Sequence, residues 1–385
     1  MTMKSLDFII LLIPVIILDS CSVRNDKQKE TISDQSSVAI VNAERFTLQK
    51  TDGCTIVTII DPWQGADGIE QEYYLVKRGD KSPSSNNNSQ IIYVPLKKII
   101  CTSTTHLAMI TALGMEDAIA GVSGTGLIYD NKILSKVDKG LISDIGYDSG
   151  INSELIIKIL PDLVMMYGIG GESAGYIAKI RELGIKVMFN ADYLETDPLG
   201  KAEWIKLFGA LFCREEMSDS IYSSIENLYN QTKTNISNNT KGRPLVLLGM
   251  PFRDIWYISP GNSYISKLIK DAGGEYLWEN TVSDVSLAYG LESIYLQSLK
   301  ADYWLNIGSV TSKNEISSFD PRFQAIPSFR NGNLFNNNRR ITPDGGNDYW
   351  ESGTLNPHII LKDIASILHP GLFRDYELTY YRKIE

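Results

Sequence analysis

The sequence is poor in the residues that build disulfide frameworks and metal centres. Its 385 residues include four cysteines and three histidines. Cys54, Cys101 and Cys213 lie far apart and, once Cys21 is set aside, are odd in number, so they predict neither a disulfide framework nor a metal-binding spacing. No histidine shares a helix face or a short loop with a second candidate ligand. The sequence therefore predicts no resident metal site.

An excess of positive charge and long apolar segments are also lacking. Lysine and arginine total 37, against 46 aspartates and glutamates, which gives a net charge of −9. This balance argues against a nucleic acid partner. The one unbroken apolar run, residues 8–18, is too short to span a bilayer, and no later segment is long and apolar enough. We therefore expect the chain to cross no membrane once its N-terminal segment is processed.

The N-terminus has the features of a signal peptide over residues 1–20. Lys4 precedes the apolar run, whose length is typical of a signal-peptide core. The run ends in "LDSC", with Ser20 directly before Cys21, and this resembles a bacterial lipobox, in which the cysteine is lipidated after cleavage. An ordinary secretory peptide is the alternative, but lipidation is favoured because Cys21 stands where the apolar run stops. We expect a lipid-anchored protein of the cell envelope with a polar tether at 21–45.

One helix-to-strand unit occurs twice. "SELIIKILPDLVMMYG", residues 153–168, and "LESIYLQSLKADYWLNIG", residues 291–308, each begin near a glutamate, pass through an apolar helical stretch and end in an apolar strand and a glycine. Between them, "DPLGKAEWIKLFGALF" and the long segment that follows show helical periodicity without a strand, with Met217, Ile221, Ile225 and Leu228 on one face. The duplication predicts two lobes separated by helices.

The expected fold class is α/β, with two Rossmann-like lobes joined by a single long helix and a ligand cleft between the lobes. "CTIVTIID" and "EYYLVKRG" predict an antiparallel pair, and "KKIIC" begins a series of short apolar strands with helices between them, which favours parallel sheets. A ligand would lie beyond the carboxyl ends of the parallel strands. The predicted divisions are an N-terminal lobe at 46–197, inter-lobe helices at 198–240 and a C-terminal lobe at 241–385.

Several segments, taken in order, resemble a known family. They are "KKIICTSTTHLAMITALGMEDAIAGVSG", "SELIIKILPDLV", "LGIKVMF", the long helix, "DAGGEYLW", "LESIYLQSLKADYWL" and "NPHIILKDIASIL", within residues 97–370. Their order and spacing are similar to those of the helical-backbone substrate-binding proteins of ABC importers, which deliver cobalamin, ferric siderophores and haem. The resemblance implies a non-enzymatic, lipid-anchored monomer. It would carry a metal chelate as its ligand, use no resident cofactor and have an ABC permease as its partner.

The resemblance also gives the two glutamates a role. In this family an acid on each lobe docks onto arginines of the permease, and the matching positions are Glu154 and Glu292. Such charges provide steering and register, although each acid could instead stabilise a helix N-terminus by up to about 1 kcal/mol. The expected ligand is an iron complex, either a ferric siderophore or haem. Cobalamin is the alternative: Asp348 and Glu351 fit it, but the arginine expected nearby is replaced by Ser or Gly.

Candidate ligand contacts follow predicted strands or lie in the late Asn-rich loop. They are His106, Tyr167, Trp256, Tyr257, Tyr289, Arg339, Arg340, Asp348 and Trp350. Flat aromatic rings suit a macrocycle or a catechol, and arginines suit anionic chelates or haem propionates. Tyr167 or His106 could ligate iron. Each aromatic residue taken alone is more often a packing residue, so the interpretation depends on their joint position after strand ends.

A second motif favours an enzyme. "GESAG", residues 171–175, matches the G-x-S-x-G nucleophile elbow of α/β-hydrolases, with Ser173 as nucleophile and His358 or His369 downstream. However, "GIG" separates the motif from the preceding strand, and no HGGG-type oxyanion loop precedes it. A secreted serine esterase therefore stays the alternative from another class.

Overall fold

The computed structural model of the protein describes residues 36–81, 90–147, 150–168 and 173–385. The predicted signal peptide and the predicted lipidation site Cys21 lie outside these residues. Within them, no helix combines the length and apolar character that a membrane span requires. The described residues form three five-stranded sheets and one two-stranded sheet, with helices packed on them. Cys54, Cys101 and Cys213 are free thiols.

The first sheet precedes the segment that begins with "KKIIC". Its strands, in spatial and chain order, are β1 (Ser36–Val38), β2 (Phe46–Thr51), β3 (Cys54–Ile60), β4 (Glu70–Lys77) and β5 (Gln90–Val94). All neighbouring pairs are antiparallel except β4 and β5, which run parallel. The predicted antiparallel pair is confirmed by β3 and β4. The alternation of buried Val57 and Ile59 with more accessible neighbours matches a sheet that covers the core with one face.

Residues 36–45 differ from the sequence prediction, which placed them in the tether. In the structure β1 pairs with β2, and the fully buried carboxylate of Glu203 accepts hydrogen bonds from the backbone N–H groups of residues 41–43 at 2.7–3.1 Å. Glu195 accepts bonds from the next two backbone N–H groups in the same way. The polar composition of this segment predicts a free tether. It cannot show that distant carboxylates bind the backbone N–H groups of the segment.

The second sheet is fully parallel and forms the first lobe. Its strands are β6 (Ile99–Cys101), β7 (Ile119–Val122), β8 (Ser143–Asp144), β9 (Leu163–Met166) and β10 (Val187–Phe189), in the spatial order β10-β9-β6-β7-β8. Its helices are α1 (Thr104–Ala112), α2 (Asn131–Asp138), α3 (Ser153–Ile159) and α4 (Ser173–Glu182). The buried runs of β6 and β9 are typical of parallel strands covered on both faces. The strand order reverses beside β6, where such sheets bind ligands.

Three helices connect the lobes: α5 (Pro198–Glu203), α6 (Ile205–Phe212) and α7 (Glu215–Asn239). The 25 residues of α7 make a rod of about 37 Å at 1.5 Å per residue. Its buried face agrees with the predicted one at Ile221 and Ile225 and differs elsewhere. Met217 and Leu228 are exposed, while Tyr222 and Tyr229 are buried. The tyrosine rings pack inward because their hydroxyl groups find partners, Asn42 for Tyr222 and Asp271 for Tyr229.

The third sheet forms the second lobe. Its strands are β11 (Leu245–Leu248), β13 (Glu275–Tyr276), β15 (Tyr303–Leu305), β16 (Leu334–Asn336) and β17 (Arg382–Lys383), in the order β13-β11-β15-β16-β17, parallel except for the last pair. Strands β12 (Ile255–Ile258) and β14 (Leu287–Gly290) form the separate antiparallel pair. The helices are α8 (Tyr264–Asp271), α9 (Leu291–Ser298), α10 (Lys313–Phe319), α11 (Pro327–Arg330) and α12 (Pro357–Leu368). The repeated unit is confirmed as α3–β9 and α9–β15.

Among the described residues, one of three hydrophobic clusters contains residues from all three five-stranded sheets and from the inter-lobe helices. It includes Val57 of the first sheet, Leu107 of α1, Phe208 of α6, Tyr229 of α7 and Ile364 of α12. Helix α12 packs on α7 and α8, and α6 packs on α7. The inter-lobe helices are therefore part of the core rather than an exposed connection, and this holds the two lobes in a defined relation. The predicted fold class, with two α/β lobes and a cleft between them, is confirmed.

Candidate functional site

A cleft of about 930 Å³ opens between the lobes. Its floor follows the carboxyl ends of parallel strands in both sheets. The lining residues at these ends are Ser103, Thr104 and Thr105 after β6, Tyr167 after β9, Leu248 and Gly249 at the end of β11, and Asn306 after β15. Parallel strands present their carboxyl ends on one edge, so two facing lobes provide two such edges. A cleft of this size suits a large small-molecule ligand.

Aromatic rings from both lobes line the cleft. Tyr167 and Tyr193 pack edge to face with ring centroids 4.5 Å apart. Burial raises the pKa of Tyr167 to about 12, so its phenol stays neutral at physiological pH. Across the cleft, Tyr257 and Trp350 are 53% and 56% exposed. Such exposed rings in a concave site offer flat apolar faces that a ligand can cover.

The charged lining residues are mostly acidic. They are Arg45, Lys201, Asp61, Asp67, Glu195 and Asp284. Arg45 lies 3.4 Å from the carboxylate of Asp61, and the ammonium group of Lys201 lies 5.4 Å from the ring centroid of Tyr264. Burial raises the pKa of Glu195, against the hydrogen bonds that its carboxylate accepts. Even with Glu195 protonated, the carboxylates outnumber the cations. The cleft therefore disfavours strongly anionic ligands.

The described part of the chain contains no group of three or more His, Cys, Asp or Glu side chains that could hold a metal ion. Tyr167 is the lining phenol that follows β9, and its raised pKa means that coordination would have to displace a firmly held proton.

Three of the predicted contacts, Tyr167, Tyr257 and Trp350, line the cleft. Three others lie in the core instead. His106 is fully buried on α1 beside Phe208, and burial lowers its pKa to about 3. Trp256 is fully buried, and its indole N–H donates to the carbonyl of Leu248 at 3.0 Å.

Tyr289 belongs with this core group. It lies opposite Trp256 in the β12–β14 ladder and packs on the same apolar cluster. Successive side chains of a strand point to opposite faces. Tyr257 therefore faces the cleft, while its neighbour Trp256 and the ladder partner Tyr289 face the core.

The residues predicted to bind anions are engaged elsewhere. The guanidinium of Arg340 donates to the buried carboxylate of Asp348 at 2.6 Å and lies over the ring of Tyr129. Arg339 pairs with Glu377. None of Arg339, Arg340 and Asp348 lines the cleft. Arg340 and Asp348 pair within one loop although eight residues separate them, and Arg339 pairs with Glu377 near the C-terminus. The sequence could not reveal these pairs because they depend on how the loop folds.

The two glutamates of the repeated unit differ in their surroundings. Glu154 is exposed in the first turn of α3 and has no hydrogen bond or ion pair among the described residues. Glu292, in the first turn of α9, receives two hydrogen bonds from Arg322 at 2.8 and 2.9 Å. Arg322 also binds Asp320 at 2.6 Å. Both glutamates are accessible, but only Glu292 already faces an arginine.

The elements of the enzyme alternative lie in different lobes. Ser173 is the first residue of α4 in the first lobe, and the two residues before it lie outside the described part of the chain. His358 and His369 lie at the two ends of α12, which packs on α7 and α8. Burial lowers the pKa of both imidazoles.

Sequence reasoning missed the loop between β3 and β4. This loop, residues 61–68, brings Trp63 and Gln64 to the cleft. Sequence reasoning also missed Tyr193, which follows β10, and Lys201, which lies on α5. A signal was present, since "DPWQGADG" places an aromatic residue among turn-forming Asp, Pro and Gly residues.

Two lobes built on parallel sheets, joined by core helices and enclosing a ligand-sized cleft, define a solute-binding protein. Residues 99–338 match the family model described as periplasmic binding protein, and the chain belongs to this family. The resemblance predicted from the sequence is thereby confirmed. Proteins of this family are binding proteins of the ABC-importer type rather than enzymes, and they work outside the cytoplasm with a permease partner.

Similar proteins agree with this assignment. An uncharacterized lipoprotein of Methanocaldococcus jannaschii is 28% identical over 348 residues, which cover 84% of this chain and 81% of the relative. The crystal structure of a periplasmic heme binding protein from Pseudomonas aeruginosa has a TM-score of 0.56 at 12% identity and covers 75% of this chain and 98% of that one. A periplasmic vitamin B12 binding protein of Vibrio cholerae has a TM-score of 0.50 at 14% identity, with coverage of 71% and 97%. These structures establish the shared fold.

Proposed function

We propose that the protein is lipid-anchored at Cys21 and captures an iron complex, a ferric siderophore or haem, between its lobes for delivery to an ABC permease. The observation that carries the proposal is the cleft of about 930 Å³ with aromatic rings on both walls. The name of the Pseudomonas relative, a heme binding protein, and the lipoprotein name of the archaeal relative support it. Aromatic faces suit planar or chelating ligands with large apolar surfaces.

The charge of the lining separates the two kinds of iron complex. Haem carries two propionates, and binding it would call for cations at the rim of the cleft. The lining holds two cations against four carboxylates, and Arg45 already faces Asp61. A neutral or cationic ferric siderophore therefore fits better than haem or a trianionic catecholate complex.

Cobalamin stays the second candidate. It is large and carries little net charge, which fits the lining, and a vitamin B12 binding protein shares the fold. The residues that favoured it in the sequence do not contribute, because Asp348 and Glu351 are both buried and accept hydrogen bonds from their own chain. The argument for cobalamin therefore depends on the size and charge of the cleft.

The test is a titration of the full-length chain, purified in mild detergent, with haemin, cyanocobalamin, cationic ferrioxamine B and trianionic ferric enterobactin. Tryptophan quenching and visible absorbance report binding. We expect saturable one-to-one binding of ferrioxamine B, weakened in Tyr257→Ala and unchanged in Phe252→Ala, an exposed aromatic outside the cleft lining. Preferred binding of cyanocobalamin would select the alternative, and binding of none would count against the proposal.

The esterase alternative has its own measurement. A fluorophosphonate probe labels an activated serine, and labelling that disappears in Ser173→Ala would establish a nucleophile. We expect no labelling above that of the variant. Labelling together with hydrolysis of a p-nitrophenyl ester would replace the binding function by an enzymatic one.

A further inference from the structure

We propose that the 61–68 loop forms a third wall of the ligand cleft, and that Trp63 and Gln64 position the ligand. This rests on the proposed function of the cleft as a ligand site. The loop belongs to the first sheet, which lies outside residues 99–338 that match the family model. Six lining residues come from this sheet and its loop: Arg45, Asp61, Trp63, Gln64, Gly65 and Asp67. An element outside the matched region therefore shapes the site.

The loop is held in shape by its own contacts. The side chain of Asp61 accepts a hydrogen bond from the N–H of Gly68 at 2.7 Å and so closes the loop. Within it, the N–H of Ala66 donates to the carbonyl of Trp63 at 3.0 Å, and Ala66 is buried. Gly65 has a φ of 82°, which favours glycine. A loop with these internal bonds presents Trp63 and Gln64 in a fixed arrangement before any ligand arrives.

The loop is fastened to the first lobe. The ring of Trp63 lies 5.0 Å from that of Phe189, the last residue of β10. Gly168 permits this contact, since a Cβ there would lie 2.9 Å from Phe189 and 3.2 Å from Trp63. The hydroxyl of Tyr193 accepts a hydrogen bond from the backbone N–H of Gln64 at 3.3 Å and donates to the carbonyl of Gly168. Trp63 thus extends the aromatic wall that Tyr167 and Tyr193 begin.

The loop also reaches the second lobe. The side-chain amide of Gln64 donates to the backbone carbonyl of Asp284 at 3.3 Å. Asp284 belongs to the lining segment 283–286, whose first N–H donates to the side chain of Asn262 at 3.1 Å. The bond of Gln64 is exposed to solvent, and exposed hydrogen bonds contribute little net stability. It closes one side of the cleft and can open without disturbing the core.

The binding test compares Trp63→Ala and Gln64→Ala with two controls in the full-length chain. Gln231→Ala alters an exposed glutamine of α7, and Phe252→Ala alters an exposed aromatic, both outside the cleft lining. For the probe that the parent binds, we expect Trp63→Ala to weaken binding roughly 10- to 100-fold, as for a truncated aromatic anchor. Both controls should keep the parent affinity. Trp63→Phe keeps an aromatic ring at this position and should retain most of the affinity. Unchanged affinity in Trp63→Ala would overturn the proposal.

A second measurement needs no ligand. Hydrogen exchange of peptides that cover residues 283–286 should be several-fold faster in Gln64→Ala than in the parent and in Gln231→Ala. Equal exchange rates in the variant and the parent would show that Gln64 does not hold this segment. That result would contradict the proposal that the loop forms a third wall of the cleft. If none of the four probes binds the parent, the proposed function fails, and the exchange result still decides whether the loop closes the cleft.

Discussion

Two buried glutamates hold the N-terminal segment against the inter-lobe helices. The carboxylate of Glu203 accepts three backbone N–H groups of residues 41–43 and the ammonium group of Lys206 at 2.7 Å. Lys206 also donates to the carbonyl of Ala39 at 2.8 Å. Glu203 therefore accepts from four donors at this junction, and Glu195 accepts from the next two backbone N–H groups. A residue that serves several buried donors at once contributes more than a surface ion pair of the same charge.

We predict that Glu203→Ala lowers the free energy of unfolding by about 3–5 kcal/mol, because it leaves the buried ammonium group of Lys206 without its counter-charge and several backbone donors without their acceptor. Glu203→Gln should cost less, since its amide oxygen can still accept. Glu216→Ala, an exposed acid in the first turn of α7, serves as control. Urea unfolding measures the difference. A loss in Glu203→Ala no larger than in Glu216→Ala would contradict the account.

The accessible acids of the two lobes, Glu154 and Glu292, give a second prediction at this scale. We expect Glu154→Arg with Glu292→Arg to leave ligand affinity unchanged, because both positions lie outside the cleft lining. If the two acids dock onto arginines of a permease, as the family resemblance implies, the same variant abolishes ligand uptake. Radiolabelled uptake in reconstituted vesicles measures transport. Glu216→Arg with Asp219→Arg, at two exposed acids of α7 outside the cleft lining, controls for the same change in net charge. Normal uptake by the double variant would refute the docking role.

Arg322 makes the two acids unequal. It binds Glu292 and Asp320 together, and these hydrogen bonds raise the pKa of its guanidinium. An incoming arginine at Glu292 must therefore share or displace Arg322, whereas Glu154 has no such competitor among the described residues. Glu292 is exposed, so the energy of its pair with Arg322 is small.

At the scale of elements, one contact joins the segment before the last helix to the first lobe. The carboxylate of Glu351 accepts the backbone N–H groups of Tyr129 and Asp130 at 2.8 and 2.9 Å. These residues precede α2, and Asp130 caps that helix. Burial, helped by the charges of Asp348 and Asp130, raises the pKa of Glu351 to about 7 against the opposing effect of the two hydrogen bonds.

The raised pKa predicts a pH dependence of stability. Between the ordinary value of 4.5 and about 7, the folded protein holds a proton on Glu351 that the unfolded chain has lost. The contribution of this group therefore falls as pH rises through that window, by up to about 3 kcal/mol. Glu351→Gln, which cannot ionise, should show a flatter pH profile than the parent. Thermal unfolding from pH 4.5 to 7.5 measures the stability of the parent and of the variant. Parallel pH profiles would contradict a raised pKa of Glu351.

The elements themselves show what a sequence pattern conveys. The β3–β4 pair, the two helix-to-strand units and the long helix were predictable because period-2 and period-3.6 patterns are local. The inward face of α7 was predictable only in part. Ile225 is buried as predicted, but Tyr222 and Tyr229 take the places expected for Met217 and Leu228. A tyrosine packs inward when its hydroxyl group meets a partner, and those partners, Asn42 and Asp271, come from other elements.

At the scale of the whole molecule, the continuous core governs how far the lobes can move. Helices α6, α7 and α12 belong to the same hydrophobic cluster as the first two sheets. Opening the cleft widely would expose part of this cluster to water, at roughly 25 cal/mol per Å² of apolar surface. The lobes are therefore expected to flex by small amounts rather than to swing as separate bodies.

We predict that saturating ligand changes the radius of gyration, about 20 Å for a fold of this size, by less than about 1 Å. Small-angle scattering with and without the bound probe measures the change. The Gln64→Ala variant, which lacks the link to the second lobe, should show a slightly larger difference than the parent. A large ligand-induced contraction of the parent would show that the helical connection is flexible.

The sequence by itself determined the class of the protein: two lobes of alternating helices and strands, a long helical connection and the family to which the chain belongs. These follow from local periodicity and from the order of segments along the chain. The tertiary structure alone decided the lining of the cleft. It directed Tyr257 to the cleft and its neighbour Trp256 to the core, paired Arg340 with Asp348, and brought Trp63 from a separate sheet. Side-chain direction and charge pairing depend on how the chain folds and on what packs against each face, and a local sequence pattern contains neither.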